Sequence, residues 1–190
     1  MTADSNFALF DTTIGACAIV WGANGITGVQ LPEKSEADTR ARILRRYPGA
    51  VEAAPPAPIK SAIADIVALL SGAQQGLTHI ALDLAKIPEF HRRVYAVART
   101  IPPGATMTYG EVATKLGDRL LAQQVGYALG KNPFPIIVPC HRVLAVSGAT
   151  GGFSAPGGAN TKLRMLSIEG ARTNDQPMLF DRLDLAARPR

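Results

Sequence analysis

The chain has 190 residues, 47% hydrophobic and 18% charged, with a formal net charge of +5. That mixture suits one or two small domains with a real core and excludes wholesale disorder. Two cysteines, Cys17 and Cys140, exclude a disulfide scaffold and a four-cysteine zinc site.

No long apolar run or secretory signal is present, so the expected setting is a reduced cytoplasm, away from membranes. The positive balance favours an anionic partner. Its basic residues cluster at 40–46, 91–99 and 162–172. Such clusters also arise as plain solvated helix faces.

Residues 7–31 carry alternating apolar positions and turn residues and predict a β-hairpin closing at Ala23 to Gly25. A basic helix is expected over 36–47, a loop at Pro55, Pro56 and Pro58, and a helix over 59–70 with Ile59, Ile63, Ile66, Val67 and Leu70 on one face. A short strand is expected near 78–84. The next helix, 89–99, turns Phe90, Val94, Val97 and Ala98 inward and stops at Pro102, Pro103 and Gly104.

Thr108 and Glu111 have the spacing of a capping box, which starts a helix reaching about Leu116 with Tyr109 in its first turn. Gly117 and Asp118 make a turn, and a second helix covers 120–129. Two short helices on a tight glycine turn are a helix-turn-helix candidate, although most helical hairpins only pack. A strand is expected at 135–139, a glycine-rich loop at 148–158, and a last helix capped by Asn160 that ends at Gly170.

The stretch Pro139-Cys140-His141-Arg142-Val143 carries the chemistry. A thiol becomes a nucleophile when its neighbourhood stabilises the thiolate. Three readings compete: a structural buried thiol beside an exposed imidazole, a protease-like pair, and a nucleophile served through a relay. Neighbouring side chains diverge in extended chain, so His141 is poorly placed to bond the thiol directly and a bridging water serves better. Cys17, in Gly-Ala-Cys-Ala-Ile-Val, reads as a buried strand cysteine.

Residues 90–170 resemble the catalytic domain of O6-alkylguanine-DNA alkyltransferases, and residues 7–80 resemble their variable N-terminal domain. The resemblance rests on Pro-Cys-His-Arg-Val and on the spacing from Tyr109 through Asn132 to Cys140 and Glu169. It implies an α+β fold: a small N-terminal α+β domain with ribonuclease H-like strands over 1–84, and a mainly helical domain with a helix-turn-helix over 85–170. A tail covers 171–190.

The resemblance also implies a suicidal, cofactor-free and metal-free transfer of an alkyl group to Cys140. The donor is O6-alkylguanine, or O4-alkylthymine, flipped out of double-stranded DNA that a monomer grips through the minor groove. His141 takes the thiol proton through a water, Glu169 orients His141, Asn132 holds the turn, and Tyr109 protonates the departing guanine. Val143 and Ser154 read the base, and Leu129, Pro135 and Phe153 complete the substrate set. Arg119, Ala122, Gln123, Gln124, Gly126 and Arg142 face DNA.

Position 123 departs from the family, which usually has arginine there to enter the stack behind the flipped base. Gln123 lacks that flat cation, which predicts weaker extrusion. A slow or inactive lesion-binding sensor of the alkyltransferase-like type is the alternative, although those relatives lack the cysteine. In the tail, Gln176, Leu179 and Phe180 match a Gln-x-x-Leu-Phe peptide that docks on the bacterial sliding clamp. The plainer expectation is that this segment packs on its own domain.

Overall fold

A computed structural model describes residues 5–146 and 157–171. Strands β1 (Asn6–Thr12), β2 (Gly15–Gly22) and β3 (Gly25–Gln30) form an antiparallel meander. The turn at Ala23 lies where the sequence places it. A second tight turn at Thr13 and Ile14 adds a strand to the expected hairpin. Helix α1 (Glu36–Arg46) leads to the two-residue β4 (Val51–Glu52), which pairs parallel to β1, giving the order β3-β2-β1-β4. Ser35 caps α1 by accepting from the Asp38 N–H.

The run Cys17 to Trp21 is buried throughout because β2 is covered on both faces. Side chains alternate across a strand, so Ala18 and Val20 join Phe7, Ile43 and Ala50 beneath α1. Cys17, Ile19 and Trp21 face the opposite way, toward α2 (Ala57–Leu70). That second face belongs to a larger core that also contains Val94, Tyr95, Val125, Phe134, Val138 and Met165. The sheet and the helical part are therefore joined by one continuous buried cluster.

The strand expected near 78–84 is a single bridge between Ile26 and Leu82. Arg99 is the reason: its guanidinium donates to the carbonyls of Leu77, Thr78 and Ile80 at 3.0, 2.7 and 2.8 Å, occupying acceptors that a ladder needs. Helix α3 (Glu89–Arg99) buries Val94 and Ala98 as expected, and also Tyr95, whose hydroxyl donates to the Ala128 carbonyl at 3.0 Å.

Strand β5 (Met107–Thr108) runs straight into α4 (Tyr109–Lys115), which opens on the predicted capping box. A 3-10 turn, Arg119–Leu121, precedes α5 (Ala122–Gly130). After the cysteine, β6 (Val143–Leu144) pairs parallel to β5. Helix α6 (Gly158–Ile168) is entered through Gly157, at φ 77°. Asn160 lies inside α6 and does not cap it. The fold is mixed α+β, with an N-terminal sheet and a helical C-terminal part. Among the described residues no helix is long and apolar enough to cross a membrane.

Candidate active site

Residues 135–139 are turns, where the sequence suggests a strand. Three prolines, 133, 135 and 139, remove the donors a ladder requires. Asn132 then shapes the segment from both ends. Its amide donates to the Val138 carbonyl and its oxygen accepts from the Phe134 N–H, each at 2.9 Å. Ile136 takes a left-handed conformation, φ 76°, which is costly for a β-branched residue. Phe134 is buried and meets Tyr95 edge-to-face at 6.4 Å, which anchors the turn in the core.

The N-terminal sheet braces the same segment. The Val29 N–H donates to the Pro133 carbonyl at 2.8 Å. Beside it, Gly28 lies so close to Tyr47 that a Cβ there would sit 1.9 Å from the Tyr47 hydroxyl oxygen. Gly28→Ala is therefore expected to cost about 1–3 kcal/mol through forced displacement of the Tyr47 ring. Thermal denaturation should show the loss, and adding Tyr47→Phe should recover part of it by removing the hydroxyl. An additive double mutant would contradict the clash.

Cys140 begins a 3-10 turn, Cys140–Arg142, and keeps part of its surface open while protein encloses the thiol. Burial pushes the thiol above its ordinary value. The Asn132 side chain, the Lys162 charge and the N–H groups of Cys140 and His141 pull it back. These are the groups available to stabilise a thiolate.

His141 is fully buried, not exposed. Its Nε2 lies 2.9 Å from Glu169 Oε1. Burial would raise the Glu169 carboxyl, but hydrogen bonds from His141 and Arg142 outweigh it and hold the group down at about 2. An ionised carboxylate only accepts, so Nε2 carries the hydrogen and Nδ1 carries the lone pair. Nδ1 is buried and meets no hydrogen-bond partner among the described residues. Desolvation lowers the imidazole below its usual value, against the pull of Glu169. His141 therefore rests neutral, with Nδ1 free to accept a proton.

Arg142 corrects the sequence expectation that it faces DNA. It is buried, grips Glu169 with two hydrogen bonds at 2.9 and 2.8 Å, and donates to the Ile101 carbonyl at 2.5 Å. Glu169, at the C-terminal end of α6, thus serves both His141 and Arg142.

Lys162 reads in the sequence only as part of a basic cluster and not as a site residue. It is almost fully buried, donates to the Val143 carbonyl at 2.7 Å, and is pushed down to about 8 by burial. The available signal was its spacing: positions 162, 165, 166 and 169 share one face of α6 with Met165, Leu166 and Glu169.

Pairing of β5 with β6 sets Tyr109 close to Cys140. The Tyr109 hydroxyl is raised by burial and by the nearby thiol, so it stays protonated. A Cβ at Gly126 would lie in ordinary contact with the Tyr109 ring, at 3.8 Å, so this position of α5 adjoins that ring. Leu129 and Val143 are buried and Pro135 half-buried. Gln123, Gln124 and Arg119 are exposed, and Ala122 is half-buried. The Arg119 side chain lies back along α4, its Nε 3.6 Å from where a Cβ on Gly110 would be. Phe153 and Ser154 lie outside the described residues.

A half-buried thiol beside a buried His–Glu pair, on a mixed α+β fold with a helical C-terminal part, is the class that this fold and site define. The family described as 6-O-methylguanine DNA methyltransferase, DNA binding domain, matches residues 89–171. The methylated-DNA–protein-cysteine methyltransferase of Mycobacterium leprae is 34% identical over 173 residues, covering 90% of this chain and 96% of that protein. The protein of that name from Methanothermobacter thermautotrophicus is 34% identical over 158 residues, covering 83% and 81%. The crystal structure of Mycobacterium tuberculosis OGT in complex with DNA superposes with a TM-score of 0.68 at 30% identity, covering 87% of this chain and 92% of that one. This chain belongs to the methylated-DNA–protein-cysteine methyltransferase family.

Proposed function

We infer that this protein repairs DNA by direct reversal, moving the alkyl group of O6-alkylguanine onto its own Cys140. O4-alkylthymine is the second substrate, by the same chemistry. One observation carries the reading most: a buried His141–Glu169 pair at 2.9 Å, adjoining the thiol, with the lone pair left on Nδ1. Family membership agrees with it, and a relative solved on DNA supports DNA as the partner.

The thiol gives its proton to His141 Nδ1 through a water, and Glu169 stabilises the imidazolium. Cys140 Sγ attacks the alkyl carbon in line; the S–C bond forms as the C–O6 bond breaks. The electron pair stays with guanine, which takes a proton from the Tyr109 hydroxyl, and the imidazolium proton returns to Tyr109 through solvent. Asn132 and Lys162 steady the thiolate. Water does not hydrolyse the thioether, so each molecule acts once. A purely lesion-binding sensor is disfavoured, because it needs neither the nucleophile nor its base.

The test is intact-protein mass spectrometry after incubation with O6-methylguanine DNA. One methyl group should appear, on the peptide containing Cys140. Methylation of Cys17 alone, or several turnovers per molecule, would overturn the reading.

The protein acts as a monomer on the minor groove of double-stranded DNA, the groove that suits the small α5 residues Ala122 and Gly126. The tail supplies a further partner, the sliding clamp, through Gln176, Leu179 and Phe180, which lie outside the described residues. A peptide of residues 174–184 should bind purified clamp, and Leu179→Ala with Phe180→Ala should lose that binding with transfer intact. No binding at high micromolar concentration would retire the clamp in favour of self-packing.

A further inference from the structure

Leu120 is 88% exposed, the most exposed large apolar residue among those described. It sits on the 3-10 turn that joins α4 to α5, and its backbone is pinned: the Leu120 N–H donates to Asp118 Oδ1 at 2.8 Å and the Leu121 N–H to the Asp118 carbonyl at 3.1 Å. Leu121 packs against the core, so the turn is anchored on one side and presents Leu120 on the other. One and two turns on, Gln123, Gln124 and Tyr127 continue the exposed row, with Tyr127 64% exposed and Lys131 5.7 Å from its ring centre.

Lys115, Arg119 and Lys131 are exposed around this row, and the exposed acid beside it, Asp118, has its carboxylate turned onto its own backbone. A cationic rim around an apolar tip fits phosphates around a base stack. The row lies within the segment, 89–171, that matches the family described as a DNA binding domain.

Cys140 is half-buried in the turn Cys140–Arg142, so a base reaches its thiol by leaving the duplex. Extrusion leaves an unstacked gap, and apolar side chains entering such gaps hold them open. Three residues near the start of α5 could fill it. Arg119 folds back along α4 beside Gly110. Gln123 ends in an amide that must give up water to enter a stack. Leu120 projects freely and loses nothing polar on entering.

We propose that Leu120 is the wedge that enters the base stack when the damaged nucleotide is extruded, a positioning residue for the transfer reaction. This rests on the reading of Cys140 as the acceptor.

Repair rates separate the possibilities. Leu120→Ala should slow transfer from O6-methylguanine in duplex DNA about tenfold, while reaction with a single-stranded oligonucleotide and with free O6-benzylguanine stays within twofold. Leu120→Met should restore most of the duplex rate, and Gln123→Ala should cost less than Leu120→Ala. An unchanged duplex rate in Leu120→Ala, or equal slowing on all three substrates, overturns the wedge.

A second readout needs no chemistry. In the Cys140→Ser background, 2-aminopurine beside the lesion should brighten when saturating protein unstacks it, and adding Leu120→Ala should abolish that signal. A signal that survives Leu120→Ala overturns the wedge too. Failure of the unsubstituted protein to take up the alkyl group from O6-methylguanine DNA, single- or double-stranded, would instead count against Cys140 as acceptor, and the fluorescence would still judge Leu120.

Discussion

Cys140→Ser is expected to end alkyl transfer, with a loss of at least about a thousandfold on O6-methylguanine DNA. The serine oxygen is nearly the same shape, so binding of duplex DNA should persist. What disappears is the ionisable atom. Asn132, Lys162 and two backbone N–H groups partly offset the burial that raises the thiol, so a thiolate forms once His141 takes its proton, and the same groups are far too weak to ionise an alcohol near neutral pH. Cys17 supplies the control. It is buried in β2 and its thiol is pushed up to about 12, so it stays protonated and unreactive. Cys17→Ala should therefore transfer at the ordinary rate. Stoichiometric methyl uptake by Cys140→Ser would remove Cys140 from its role.

Glu169→Gln is expected to damage both stability and rate. Glu169 is 2% exposed and balances the buried Arg142 guanidinium through two hydrogen bonds. Removing one member of a buried ion pair strands the other charge, which costs about 3–5 kcal/mol. Urea denaturation at pH 7 should show that loss. The variant should also transfer more slowly at matched folded fraction, because His141 loses the carboxylate that orients it and stabilises its cation.

The acid limb gives an independent check. The Glu169 carboxyl falls from an ordinary value of 4.5 to about 2 in the folded protein. Its stabilisation is thus complete above about pH 4.5 and drains away as pH falls toward 2. Stability of the unsubstituted protein should decline across that window more steeply than that of Glu169→Gln. Parallel acid limbs would mean that the carboxylate is not the group held ionised by Arg142.

Much of the helical part is readable from the chain itself because its signals are local. The Thr108–Glu111 capping box, the apolar face of α3 and the turn at Gly117 each involve residues within one or two helical turns. The cysteine, its histidine and Glu169 also stand out, as residue types at a family's spacing. The turn preceding Cys140 does not. Ile136, Ile137 and Val138 have strong strand propensity, yet their path is set by Asn132, by Phe134 in the core and by a hydrogen bond from Val29 more than a hundred residues earlier.

The linkage of charges is equally invisible in one dimension. Arg142 looks like a basic residue beside a nucleophile, and only the docking of α6 turns it onto Glu169. Lys162 looks like part of a solvated basic cluster until α6 buries it against Val143. By itself the sequence determined which groups could react and which segments would be helical, since propensity, capping and side-chain chemistry act over a few residues. Only the tertiary structure decided which charges are paired, which nitrogen of His141 is free, and where the catalytic turn is held. Those depend on distances between segments far apart in the chain, set by packing of the shared core.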